Sequence, residues 1–211
     1  MHYLTPSSLA ADTLSACKGR FYPFHRLMLY LYEAELQACG YHGAHPYWDW
    51  TIDAVSPAGF ARSALFDPDT GFGGNGAWIP GNMSDPAPGM DVFSQHDLPD
   101  RTGGGCISDG PFRGLVTNLG PLANVTYNPR CVRRDFAPST LANMSSAARV
   151  AEAMGSTDYA GFDHSSEYSI HPGGHLGIGG MYGSITDKWA SRMYRRMLLP
   201  CVCFFLLRGV Y

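Results

Sequence analysis

The sequence predicts a mainly α-helical domain that carries long loops rich in glycine and proline. Apolar residues recur at helical spacing from Pro23 to Ala38, with Pro23 near the start and Gly40 just past the end. The same spacing predicts a second helix from about Ser139 to Met154. Between the two, residues 57–120 are dominated by Gly, Pro, Asp and Ser, a composition that predicts surface loops.

Two further segments have a distinct composition. An aromatic run follows the first helix, and it should be buried against that helix: His45-Pro46-Tyr47-Trp48-Asp49-Trp50. Residues 188–211 mix basic residues with a Cys- and Phe-rich apolar end that continues no earlier pattern. We therefore predict one domain over residues 1–187 and an atypical tail over residues 188–211.

Charge and hydropathy exclude two classes of partner. The 211 residues carry a formal net charge of −3, and no basic cluster exceeds the pair Arg195-Arg196, so no nucleic-acid-binding surface is predicted. The apolar stretch of residues 197–207 is about half the length that spans a bilayer, and Pro200 interrupts it. We therefore expect no membrane span.

Cysteines and sequons indicate a secreted protein. The six cysteines show no paired zinc-ligand spacing, so disulfides are the expected use for some of them. Asn82, Asn124 and Asn143 each begin an Asn-X-Ser/Thr tripeptide, which favours an extracellular glycoprotein. Residues 1–6 show no basic or apolar segment of a signal peptide, so either an upstream segment is missing or the expectation of secretion is wrong.

His171 and His175 are the first candidate metal ligands. One helical turn would bring residues at this spacing onto the same face, as two imidazoles that bind one metal ion require. No Glu follows His171, so the general base of the HExxH metalloprotease motif is missing. Imidazole suits copper, zinc, iron and nickel alike, and the ligand type alone does not select the metal.

His25 is the third candidate. It ends the aromatic run Phe21-Tyr22-Pro23-Phe24-His25, and Glu33 lies eight residues further along the same helix. Considered alone, His25 is better explained by a core histidine that makes one hydrogen bond than by a metal ligand. Likewise, Asp49 in the aromatic segment would serve a packed corner by accepting hydrogen bonds from backbone or indole groups.

Together these segments resemble the type 3 copper proteins, specifically the fungal tyrosinase and catechol oxidase group. The family pattern has an aromatic run that ends in His-Arg, a Glu eight residues later, Pro-Tyr-Trp-Asp-Trp, and His-x-x-x-His followed by Gly-Gly. The corresponding residues here are Phe21–Arg26, Glu33, Pro46–Trp50, His171, His175 and Gly179-Gly180. The resemblance covers about residues 17–187.

The resemblance implies a fold, a cofactor and a reaction. It implies a four-helix-bundle copper domain, here incomplete, that holds two copper ions and oxidises phenols or catechols to o-quinones with dioxygen. His25 would bind the first copper, and His171 and His175 the second. Glu33 or Asp49 would orient the imidazoles by hydrogen bonding.

The ligand set implied by the family is not complete in this sequence. The family uses three histidines per copper, and the middle ligand of the first site would fall on Ala16. His2 is a weak candidate for another ligand of that site. No histidine follows His175, although the family's third ligand of the second site comes later in the chain. The sequence therefore predicts fewer than two bound coppers and little activity, as expected for a chain truncated at both ends.

Three alternatives stay open at this point. The first alternative to the enzyme is a catalytically inactive tyrosinase-like product, and the second is an oxygen carrier with the same copper chemistry. The third is a secreted glycoprotein with a mononuclear metal site. In the last case His171 and His175 would be joined by His164 or His96.

Overall fold

The computed structural model describes residues 21–79, 98, 100–119 and 127–180. Over these residues the domain is mainly helical, so that prediction is confirmed. The helices are α1 (Phe21–Ala38), α2 (Trp50–Asp53), α3 (Pro57–Ala61), α4 (Pro138–Ser145), α5 (Ala147–Met154), α6 (Tyr159–Ser165) and α7 (His171–Ile178). A 3-10 turn covers Ala64–Phe66, and a π-helical segment, Ser166–Ile170, joins α6 to α7 without a break.

The first predicted helix is confirmed as α1, and the second is not continuous. The chain forms α4 and α5 instead, because Ser146 between them has an extended backbone with φ −65° and ψ 163°. The Oγ atom of Ser145 donates a hydrogen bond of 2.8 Å to the carbonyl oxygen of Ile170. This bond is a tertiary contact over 25 positions, and it fixes the end of α4 beneath the π-helical segment.

The glycine-rich region contains strands where the sequence predicts only loops, so that prediction was wrong in part. β1 (Gly76–Trp78) pairs antiparallel with β2 (Gly104–Ile107), and β3 (Val116–Leu119) pairs antiparallel with β4 (Tyr127–Cys131). Strands of three to five residues are too short for an alternating pattern to show. A disulfide between Cys106 and Cys131 ties β2 to the end of β4, which confirms the expectation of disulfides.

The aromatic segment after α1 builds the core only in part. Trp48 and Trp50 pack against a buried cluster of five residues: Ala54, Phe60, Phe66, Phe136 and Leu141. Tyr47, in contrast, is 85% exposed, Pro46 is exposed as well, and the other four residues are only half-buried, so the expectation of a buried segment was wrong.

A buried carboxylate anchors this corner of the fold. Asp53 accepts hydrogen bonds from the indole Nε1 of Trp48 at 2.7 Å and from the Oγ of Ser63 at 2.8 Å. These bonds satisfy a group that would otherwise be costly to bury. None of the helices in the described ranges has the length and apolar character needed to cross a bilayer.

Candidate metal centre

Helix α7 carries two histidines on one face. The Nε2 atoms of His171 and His175 lie 2.8 Å apart, and their ring centroids are separated by 4.5 Å. The spacing in the sequence predicts this arrangement, because residues four apart on an α-helix are neighbours on its surface.

Glycines on the opposite face of α7 let it lie close to α4. A Cβ atom on Gly177 would be 2.9 Å from the Cβ of Leu141, and one on Gly173 would overlap the Oγ of Ser145. A Cβ atom on Gly174 would lie 3.1 Å from the ring of Trp50. The glycines between and beyond the histidines therefore seat α7 on the core.

The Gly179-Gly180 pair ends α7. Gly179 has φ 62° and Gly180 has φ 58°, a left-handed conformation that glycine adopts without steric cost. A Cβ atom on Gly180 would also lie 2.5 Å from the carbonyl oxygen of Arg133. The chain must therefore turn away sharply two residues after the histidine-bearing helix.

His25 of α1 lies beside His171, although 146 residues separate the two in the sequence. Their ring centroids are 6.2 Å apart. The Nδ1 atom of His25 is 2.8 Å from the carbonyl oxygen of Phe21. A carbonyl oxygen only accepts, so Nδ1 carries the hydrogen of the neutral ring, and the lone pair belongs to Nε2.

His171 is held in the same way. Its Nδ1 atom is 3.4 Å from the carbonyl oxygen of Glu167, four residues earlier, so Nδ1 donates and the lone pair again belongs to Nε2. Backbone carbonyls therefore fix the tautomers of His25 in α1 and of His171 in α7. Metal ligands need such hydrogen bonds to keep a defined orientation.

Phe21 packs against both His25 and His171. Its ring centroid is 4.3 Å from that of His25 and 4.7 Å from that of His171, and the residue is 7% exposed. One apolar ring therefore limits the movement of two imidazoles that come from different helices. The sequence shows Phe21 as part of the aromatic run, but it does not show this contact with both rings.

A mainly apolar cleft of about 1200 Å³ opens beside these histidines. Within the described ranges it is lined by α1, by the π-helical segment and by the first residue of each of α2, α6 and α7. The lining includes Phe21, Tyr22, His25, Trp50, Ile170 and His171. The hydroxyl of Tyr22 bonds to that of Ser166, and burial raises the pKa of Tyr22 above its ordinary value of 10.0.

Glu167 is a buried acid that the sequence did not single out. It is 4% exposed, and neither oxygen of its carboxyl group has a hydrogen-bond partner. Burial, followed by the nearby charge of Asp163, raises the pKa of Glu167 from 4.5 to about 7. Glu167 lies four residues before His171 in one continuous helical run. That spacing is the signal in the sequence that could have identified Glu167 as part of the site.

The other candidate residues lie elsewhere or have other partners. Glu33 lines the cleft and accepts a hydrogen bond from Gln37 at 3.2 Å, and Asp49 caps α2 by accepting from the backbone N of Thr51 at 3.1 Å. His164 is exposed and stacks on Tyr168, with ring centroids 5.4 Å apart. His2 and His96 lie outside the described residues.

Comparison with known proteins agrees with this geometry. The family described as the common central domain of tyrosinase matches residues 8–192. The chain belongs to the tyrosinase family. It is 34% identical over 174 residues to tyrosinase-like protein phomQ2 of Diaporthe leptostromiformis, a match that covers 79% of this chain and 38% of that protein. It is 35% identical over 135 residues to tyrosinase P of Aspergillus terreus, covering 56% of this chain and 36% of that protein.

A solved structure from the same family has the same fold. The polyphenol oxidase of Thermothelomyces thermophila, as the G292N mutant, superposes with a TM-score of 0.67 at 30% identity. The match covers 86% of this chain and 51% of that one. The tyrosinase-like fold is therefore confirmed, and this chain spans little more than a third of the length of the two curated relatives.

Membership of the tyrosinase family implies copper as the cofactor, and the residues present fit it. Two imidazole nitrogens 2.8 Å apart match two ligands of one ion, because bonds of about 2.0 Å then meet at about 90°. Across the described ranges, no group of three or more His, Cys, Asp and Glu side chains is arranged to hold a metal ion. The pair His171–His175 is therefore the best-formed part of the site.

Proposed function

We propose that this chain forms the copper-binding core of a tyrosinase-type oxidoreductase that oxidises phenols or catechols to o-quinones with dioxygen. The observation that supports this proposal is the closeness of His25 from α1 to His171 from α7, which line one cleft, together with the pairing of His171 with His175. His25 would bind one copper, and His171 with His175 would bind the other. His2 is proposed as a further ligand of the first copper.

The residues of the chain would orient the ligands and shield the site. Bound copper supplies the exchange of electrons between the phenol and dioxygen. The carbonyl oxygens of Phe21 and Glu167 hold each Nδ1–H, so that both Nε2 atoms keep their lone pairs for the metal. The ring of Phe21 packs against both imidazoles and limits their movement, and the apolar cleft offers aromatic side chains against which a phenol ring can pack.

A non-catalytic role is the second candidate, and the number of ligands favours it. Ala16 stands where the family has a histidine, and no histidine follows His175. An ion held by two imidazoles rather than three would be retained more weakly. We propose on this ground that the chain as it stands binds fewer than two coppers and turns over slowly.

Copper analysis and a diphenol oxidation assay on the purified chain distinguish the two candidates. Two tightly held coppers with turnover support the enzyme, whereas less than two coppers without turnover support the non-catalytic role. The variant H171N should lose copper, and H164N is the matched control because His164 is exposed on the preceding helix. Hydrogen peroxide added to the copper-loaded chain gives an intense near-ultraviolet charge-transfer band only if two coppers share one site.

We also propose the organisation and location of the chain. The copper domain would cover residues 1–187 and the atypical tail residues 188–211. An extracellular location is supported by the Cys106–Cys131 disulfide and by the three sequons, since disulfides persist in oxidising compartments. Dioxygen and a small phenol are the proposed partners.

A further inference from the structure

The last turn of α4 places the two ends of a sequon on different faces of the helix. Asn143 is exposed. Ser145, two residues later, is completely buried, and its Oγ donates to the carbonyl oxygen of Ile170 at 2.8 Å. The acceptor amide of the sequon therefore faces solvent, whereas its hydroxyl is buried in the fold.

We propose that Asn143 carries an N-linked glycan and that the glycan is attached before α4 docks against α7. The donor is an oligosaccharide linked to a lipid pyrophosphate. A bond forms between Nδ2 of Asn143 and the anomeric carbon of the sugar, and the bond from that carbon to the pyrophosphate oxygen breaks. The lipid pyrophosphate leaves with the electron pair, and the amide loses one proton.

The order of events follows from the burial of Ser145. An enzyme that recognises Asn-X-Ser must reach both the amide and the hydroxyl. In the folded domain the hydroxyl is covered by the helix that carries His171, and it is already bonded to the backbone immediately before that helix. Attachment therefore has to precede the packing of α4 on α7.

A glycan at Asn143 is compatible with the folded domain and with the metal centre. Asn143 is on the solvent side of α4, opposite the face formed by Leu141 and Ser145. No residue of α4 is among those that line the cleft. A large polar group at this position therefore covers surface without closing the site. Asn82 and Asn124, which begin the other two sequons, lie outside the described residues.

Cell-free translation tests attachment. The full chain, placed behind a cleavable signal sequence, is translated with endoplasmic-reticulum microsomes and compared with N143Q by gel mobility before and after peptide N-glycosidase F. We expect N143Q to lose one glycosidase-sensitive shift, and peptide mapping to show conversion of Asn143 to aspartate. Shifts of equal size in both chains, or an unmodified Asn143 peptide, would overturn the proposal.

A second experiment tests the timing. Folded chain made in bacteria and a synthetic peptide of residues 138–150 are each incubated with solubilised oligosaccharyltransferase and lipid-linked donor. We expect transfer to the peptide and none to the folded chain, and equal transfer to both would contradict the order proposed. S145A should lose the same glycan as N143Q but also melt at a lower temperature, because only S145A removes the bond to Ile170.

Discussion

Replacing Gly173 with alanine tests how α7 is seated on α4. The added Cβ atom would overlap the Oγ of Ser145 and lie 2.6 Å from the Cβ of Met144, closer than real Cβ contacts allow. Ser145 cannot move aside easily, because it is fully buried and bonded to Ile170. The substitution must therefore push α7 away from α4 or break that hydrogen bond.

Two opposing effects set the size of the change. Alanine favours a helix over glycine by about 1 kcal/mol, whereas forcing an extra carbon into a packed interior costs about 1–3 kcal/mol. We expect the packing cost to exceed the gain, so that G173A loses about 1–2 kcal/mol in the free energy of unfolding. For a chain of this length each kcal/mol lowers the melting temperature by about 2–4 °C.

Urea unfolding followed by circular dichroism measures this loss, and G161A is the matched control. Gly161 is an exposed helical glycine of α6, and the nearest atom to its added Cβ would be Oδ1 of Asp158 at 3.3 Å. G161A should therefore be unchanged or more stable by up to about 1 kcal/mol. If G173A were as stable as the unmodified chain, the close contact between α4 and α7 would be refuted.

Three further substitutions test the packing and charge around the site. F21L keeps apolar volume but removes the ring that contacts both His25 and His171, so copper affinity by competition titration should fall about tenfold. F24L, which removes a ring in contact with His25, should have a smaller effect, and an equal effect would contradict the role of Phe21. D53A leaves the Trp48 indole and the Ser63 hydroxyl without their acceptor, and should cost about 2–3 kcal/mol in urea unfolding; a loss below about 0.5 kcal/mol would argue against the buried anchor. The raised pKa of Glu167 means that the folded chain binds its proton more tightly than the unfolded chain. Stability of the copper-free protein should therefore fall as pH rises from 4.5 to about 7, by no more than about 3 kcal/mol, and E167Q should abolish that fall. Parallel pH profiles for E167Q and the unmodified chain would contradict this account.

The sequence was sufficient to predict the histidine face of α7 and the helix that carries His25. Both follow from the 3.6-residue period of an α-helix, which depends on local spacing alone. The closeness of His25 to His171 could be predicted only through the family resemblance, because local spacing says nothing about contacts between residues 146 positions apart. The strands were not predicted for a related reason. β1 and β4 are identified by their pairing with β2 and β3, and neither shows a sequence pattern of its own.

The groups that orient the imidazoles are not the ones expected from the sequence. Glu33 and Asp49 were the expected partners, yet the Nδ1 atoms of His25 and His171 face the carbonyl oxygens of Phe21 and Glu167. Helical side chains point back towards the preceding turn, so a histidine nitrogen readily meets the carbonyl four residues earlier. That geometry applies to any helix, and it was available from the sequence once the helices were assigned.

Copper binding by single histidine variants tests the central claim most directly. Atomic absorption reports the total amount of bound copper, and electron paramagnetic resonance reports the imidazole nitrogens on each Cu(II) ion that is not coupled to a second one. If His25, His171 and His175 form one metal centre, then H25N, H171N and H175N should each reduce bound copper and change the spectrum, whereas H164N should match the unmodified chain. A spectrum and copper content unchanged in H25N would show that α1 takes no part in the site.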